Sequence, residues 1–178
     1  MKRLLFTLLY KDGYFILSRN FRNQNVGKLS WVFKNYNLEE VTNYIDELII
    51  IDISKKKNKF EFNKKINEIS KKTFIPLVVG GGIENLKDVE EVLNNGADKI
   101  LINSLFYNHP HICYEISKKY GKQFLVASID YSFDKIFKLF VPKNRNFSNV
   151  DIEKHLKNVI SSGAGEILLQ SIDQDGTG

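Results

Sequence analysis

Six short, continuously apolar runs recur along the chain, at residues 4–9, 47–53, 75–80, 99–103, 123–130 and 166–173, with segments of helical spacing between them. In "NLEEVTNYIDE", Leu38, Val41 and Ile45 recur at three and four; in "NLKDVEEVLNNG", Leu86, Val89 and Leu93 do the same, and Gly96 stands where a C-cap glycine belongs. The segments 62–72, 109–120 and 148–162 also predict helices. A strand that is apolar on both faces has to be covered on both faces, which alternating βα units achieve by wrapping helices around a parallel sheet. Two architectures meet that constraint, an open doubly wound sheet and a (β/α)8 barrel. Residues 14–17 ("YFIL") and 135–140 ("KIFKLF") predict additional short strands on the loops after the first and fifth runs.

An internal echo favours the barrel. "YIDELIIIDIS" (44–54) is answered by "GAGEILLQSID" (163–173), with Glu47 matched by Glu166 at an offset of 119, and "RLLFTLLYKDGYF" (3–15) is answered by "QFLVASIDYSFDK" (123–135). A repeat every four βα units points to two half-barrels joined end to end. The expected fold is therefore a single α/β domain, a (β/α)8 TIM barrel, with one half over about residues 1–121 and part of the other over 122–178. After the sixth run comes only "DQDGTG", so the expectation includes a barrel truncated after strand six, its C-terminal quarter missing.

Composition removes several classes of function. The 26 Lys and Arg are interspersed with 21 Asp and Glu, and the short block "KKKNK" lies beside turn and helix signals, so a solvated surface is expected and nucleic acid is not an expected partner. Cys113 is the one cysteine, which excludes an internal disulfide and a thiolate zinc site. His109, His111 and His155 all fall on helical patterns, so no metal site and no cofactor are expected. No apolar run approaches the ~20 residues that span a bilayer, and residues 1–9 do not read as a signal peptide. The expected location is the cytoplasm, with no membrane partner.

In a barrel, ligands meet the C-terminal ends of the strands. Gly80, Gly81 and Gly82 lie there, after the third run and before a helix opening at Asn85, where missing Cβ atoms let backbone N–H groups approach a phosphate. The competing reading is a plain tight turn. Asn103 and Ser104 close the fourth run and can add hydrogen bonds to the same anion. "DGTG" (175–178) after the sixth run could begin a second phosphate site. Asp52, Asp130 and Asp173 end the second, fifth and sixth runs, where a carboxylate can act as general acid or base or simply cap a turn. At the other ends, Arg3, Glu47, Lys99 and Glu166 each run straight into apolar sequence. Two cations and two anions there could be a mutually compensating salt-bridge layer or a gate on a passage through the barrel.

"IPLVVGGGIENLKDVEEVLNNGADKILINS", "VASID" and "GAGEILLQSIDQDGTG" closely resemble the cyclase subunit family of imidazole glycerol phosphate synthase, and the resemblance runs from residue 3 to residue 178. It implies a (β/α)8 barrel of the histidine pathway. In that family a partner glutaminase docks at the N-terminal face and releases ammonia, which passes a gate of four charged residues, crosses the barrel and reacts with a bisphosphorylated ribulosyl-aminoimidazole nucleotide. Carried over by motif, Arg3, Glu47, Lys99 and Glu166 match the gate. Gly81, Gly82, Asn103 and Ser104 match one phosphate site, with Asp52 nearby, while Asp175 and Gly176 match part of the other. Asp130 matches one of two catalytic aspartates.

The chain departs from the family at its first strand. Where the family has an acid three residues before "DG", this chain reads "TLLYKDG", so Leu9 occupies the position of the other catalytic aspartate, and Leu17 replaces a loop lysine. A leucine cannot transfer a proton, and a positioned acid–base group contributes about 10²–10⁴-fold. The combination resembles a side branch of the family found with surface-polysaccharide genes, in which barrel and glutaminase supply ammonia to a sugar amidotransferase. The expected function is thus an ammonia-channelling barrel; the alternatives are a genuine cyclase of histidine biosynthesis and an inactive remnant.

Overall fold

The computed structural model describes residues 2–134, 136–141, 146–148 and 150–177, and the chain is α/β with predominantly parallel strand pairing between the apolar runs. The expected strand 135–140 begins one residue outside the described set, as does the final glycine of "DGTG". Two compact units divide the chain: Met1–Ser18 with Asn23–Ile100, and Arg19–Arg22 with Leu101–Gly178.

In the first unit, β1 (Leu5–Lys11) turns through Asp12 and Gly13 into β2 (Tyr14–Arg19) and pairs with it antiparallel. Then follow β3 (Arg22–Gly27), α1 (Leu29–Asn35), α2 (Leu38–Val41), β4 (Glu47–Asp52), α3 (Lys59–Ser70), β5 (Leu77–Gly80) and α4 (Leu86–Asn94). β4 lies parallel between β1 and β5, in register from Leu5↔Glu47 to Tyr10↔Asp52 and from Leu48↔Leu77 to Ile51↔Gly80. Leu48, Ile50 and Val79 of the strands are fully buried, as are Ile66 and Ile69 of α3 and Val89 of α4. Each such side chain stabilises the unit by about 1.5–3 kcal/mol relative to exposure. Asn58 and Asn85 cap α3 and α4, accepting from the N–H groups of Glu61 and Asp88 at 3.2 and 3.1 Å.

β6 (Lys99–Ile102) leads into the second unit. It is followed by α5 (Ser104–Asn108), α6 (Pro110–Tyr120), a 3-10 turn at Lys122–Phe124, β7 (Leu125–Asp134), β8 (Ile136–Val141), β9 (Asn146–Ser148), α7 (Ile152–Ser161) and β10 (Glu166–Ser171). β7 pairs parallel with β10, from Val126↔Glu166 to Tyr131↔Ser171, and antiparallel with β8. Both units thus use one scheme: a strand that folds back into a hairpin and pairs in parallel with the next apolar run. Cys113 is buried on α6, as a structural thiol, and burial pushes it up to about 12.

Several elements differ from their sequence patterns. The helix beginning at Leu38 stops at Val41, because Thr42 Oγ1 folds back onto the Glu39 carbonyl and the chain turns toward β4. β3 and β9 carry polar sequences, "RNQNVG" and "NFS", with no apolar alternation to reveal them. Asp130, expected at a strand end, is within β7, which runs on to Asp134 because β8 pairs along its extension.

Candidate functional site

Three groups of expected residues take definite form, two in the first unit and one in the second. The first lies at the N-terminal ends of β1, β4 and β6. Glu47 opens β4 and is only 5% exposed; its Oε1 accepts from Arg3 Nη1 at 3.0 Å and also from Lys99 Nζ. One buried carboxylate therefore joins two cations, the more exposed arginine and the largely covered lysine. Pairing of this kind offsets part of the cost of taking a carboxylate out of water. Glu166, the fourth expected member, opens β10 in the second unit opposite Val126 in register.

The second group is at the C-terminal ends of β4 and β5. Asp52 ends β4 with its carboxylate buried; Oδ1 accepts from Ser54 N at 2.8 Å and lies 3.6 Å from Lys57 Nζ. Its carboxylate thus organises the loop after β4. Lys57 Nζ also donates to the Asp52 carbonyl, and burial lowers the lysine below its usual range despite the attraction of Asp52. Gly81 has φ +95°, and a Cβ there would fall 2.1 Å from the Asp52 carbonyl oxygen. The end of β5 can reach the end of β4 only without a side chain. At Gly82 the near neighbour is instead the flexible stem of Lys57, 3.1 Å from a Cβ position. Below the loop a small cleft between α3 and α4 is lined by Asp52, Lys59, Phe62, Gly82 and Asp88, with Lys59 Nζ held 2.7 Å from Asp88 Oδ1. Leu9 pairs with Ile51 across β1 and β4, one step before Asp52, and is a half-buried aliphatic side chain.

The third group centres on Asp130. It is 7% exposed, and Oδ2 accepts from Asn103 Nδ2 at 3.1 Å. Burial, with a smaller contribution from the negative charge of Asp175, pushes its carboxyl up to about 6. A carboxyl poised there exchanges protons readily near neutral pH. Asn103 precedes α5, so its side chain serves Asp130 while Ser104 begins the helix. Asp175 anchors the segment after β10, accepting from Phe21 N at 2.9 Å, and Gly176 follows with φ 67°. Asp173 accepts from Phe133 N and Ser132 Oγ at 2.8 and 3.1 Å and pins the β7 extension.

Two further residues lie beside this group, neither of them expected there from the sequence. Tyr107, one helical turn after Asn103, stacks on His155 of α7 with ring centroids 4.0 Å apart. Burial, reinforced by Asp130, pushes its hydroxyl up to about 12, while burial lowers His155. Spacing of four from Asn103 was the only sequence signal available for Tyr107. Among the described residues, no group of three or more His, Cys, Asp or Glu could hold a metal ion, and no helix is long and apolar enough to cross a membrane.

Comparison with known proteins supplies a context. A family model described as histidine biosynthesis protein matches residues 18–178. A protein of Parasynechococcus marenigrum (strain WH8102), provisionally named imidazole glycerol phosphate synthase subunit hisF2, is 41% identical over 99% of this chain and 66% of its own length. Imidazole glycerol phosphate synthase subunit HisF of Hydrogenobaculum sp. (strain Y04AAS1) is 37% identical over 74% of this chain and 54% of its own length. The subunit of the same name from Staphylococcus epidermidis (strain ATCC 12228 / FDA PCI 1200) is 34% identical over 98% of this chain and 70% of its own length. The chain spans between about half and about 70% of these relatives.

Proposed function

The chain belongs to the histidine biosynthesis protein family, and we propose that it acts as an ammonia-conducting barrel subunit of the imidazole glycerol phosphate synthase kind, one that delivers ammonia to a separate sugar amidotransferase. The carrying observation is a contrast within the first unit. Glu47 keeps both its cationic partners, Arg3 and Lys99, at the N-terminal strand ends, while Leu9 on β1 is a side chain that cannot transfer a proton. A buried carboxylate held between two cations is hard to retain for stability alone, since well-packed apolar residues do as well or better. We assign it, together with Glu166 at the start of β10, to admitting ammonia from a glutaminase subunit docked on that face, in the cytoplasm. Phosphate groups of a small-molecule ligand are assigned to the Gly81–Gly82 loop in the first unit and to Asn103–Ser104 and Asp175–Gly176 in the second.

A genuine cyclase of histidine biosynthesis is the second reading, favoured by Asp130, whose raised pKa suits acid–base work. The docking claim is tested by calorimetric titration with a glutaminase subunit of the same synthase kind. Association is expected, weakened by about tenfold or more in Arg3→Glu through charge reversal at the rim. Absence of association, or an Arg3→Glu variant that binds equally well, would remove the glutaminase from the account.

A further inference from the structure

The block "KKKNK" reads in the sequence as solvated surface, and Lys55 and Lys56 are exposed, yet the third lysine of the run turns inward. The Lys57 side chain is only 26% exposed. Its stem runs across Gly82, with Cγ, Cδ and Cε 3.1, 3.3 and 3.5 Å from the place a Cβ of that glycine would take. Nζ ends on the Asp52 carbonyl, 3.6 Å from Asp52 Oδ1. Fixing a lysine in this way costs up to about 2 kcal/mol of rotamer entropy, and burial disfavours its charge.

Neutralising the buried Asp52 carboxylate accounts for the presence of a cation but not for the path it takes. That path exists because Gly82 has no side chain, and it lays the ammonium group beside the loop between β5 and α4. Among the described residues of the first unit, no hydrogen bond engages the Gly82 N–H. An ammonium group and an open backbone N–H are the two kinds of donor that phosphate oxygens accept from. The Asp52 carboxylate alone would repel an anion at this loop. Paired with Lys57 it is neutral, and the lysine retains donor capacity, since its ammonium group carries three N–H bonds.

We propose that Lys57 is a phosphate-positioning residue of the first unit, whose ammonium group moves from the Asp52 carbonyl onto a phosphate monoester bound at the Gly81–Gly82 loop. The inference deepens the assignment of that loop to a phosphorylated ligand and rests on it. It adds a residue that selects for a doubly charged phosphate over a neutral group at the same place.

The test titrates inorganic phosphate into the full chain at constant ionic strength and follows the Gly82 backbone amide by NMR, with chloride as the control anion. A saturable shift with phosphate and none with chloride is expected. Lys57→Met keeps the stem on Gly82 and removes the charge, and should weaken phosphate binding by about tenfold or more, the worth of one charge-assisted hydrogen bond. Lys57→Arg restores a cation and should recover most of the affinity. The pH profile is a readout that a structural role would not move. Because burial lowers Lys57, phosphate binding by the unaltered chain should decline before pH reaches the ordinary lysine range, while binding by Lys57→Arg holds. Combining Lys57→Met with Asp52→Asn separates contact from neutralisation: affinity should stay about tenfold below that of the unaltered chain. Full recovery in the double variant would show that Lys57 only offsets Asp52 and would overturn the proposal, as would equal affinity in Lys57→Met. No saturable shift at Gly82 in the unaltered chain would overturn the phosphate assignment of the loop, and the positioning role with it.

Discussion

Asp130 and Gly81 show how much a single position can be asked to do. The Asp130 carboxyl is raised from its ordinary 3.8 to about 6 in the folded chain, chiefly by burial. An acid raised on folding favours the folded state below its unfolded pKa and withdraws that contribution as pH rises through the folded one. The penalty is therefore absent below about pH 3 and complete above about pH 7, and corresponds to on the order of 3 kcal/mol at most. Asp130→Asn is accordingly expected to be more stable than the parent at pH 8 and indistinguishable from it near pH 3, as measured by urea denaturation at both values. Gly81 carries the opposite kind of constraint. Its Cβ would strike backbone, the Asp52 carbonyl oxygen, whereas the Cβ of Gly82 would meet a flexible lysine stem. Gly81→Ala should lose about 2–4 kcal/mol and Gly82→Ala about half as much or less, read as a shift of denaturation midpoint at constant slope. The triple glycine announced a special backbone in the sequence, but not that its first service is packing β5 against β4.

Strands and helices were legible to different degrees, and the reasons are physical. Continuous apolar runs located β4, β5 and β6 closely, because strands covered on both faces have no choice of side chain, and β10 equally closely although its Ile167 and Leu169 are exposed. β3 and β9 were illegible for the opposite reason, being short, polar and held by their hairpin neighbours. α5 was hidden as well, since its five residues are too few to display a period. Charges at strand starts were readable as an anomaly, and the structure makes one of them specific: Glu47 at the head of β4 joins Arg3 and Lys99. Replacing Glu47 by Gln leaves two cations facing each other with a neutral amide. Because Arg3 is partly in water and can rehydrate, the expected loss is about 1–3 kcal/mol, smaller at high salt, measured by denaturation across a salt series. An unchanged stability at low salt would contradict a compensating cluster.

At the scale of the whole chain, the internal echo in the sequence has a counterpart in strand pairing. Each unit contains a strand that folds back into a hairpin and pairs in parallel with the next apolar run, with Glu47 and Glu166 opening the second strand of each pair. What the echo could not convey is the local grouping of side chains, such as the hydrogen bond from Asn103, at the end of β6, to Asp130 in β7. The functional account turns on one asymmetry between the two hairpin strands: Asp130 in β7 is a buried, poised acid, and β1 carries Leu9 among aliphatic neighbours. The most direct measurement supplies the bisphosphorylated ribulosyl-aminoimidazole nucleotide with ammonium salt and follows its consumption by the chain and by Leu9→Asp. The account predicts no turnover by the unaltered chain and measurable turnover after Leu9→Asp, within the roughly 10²–10⁴-fold that one acid–base group supplies. Turnover by the chain with Leu9 in place would contradict it and establish a cyclase working with Asp130 alone.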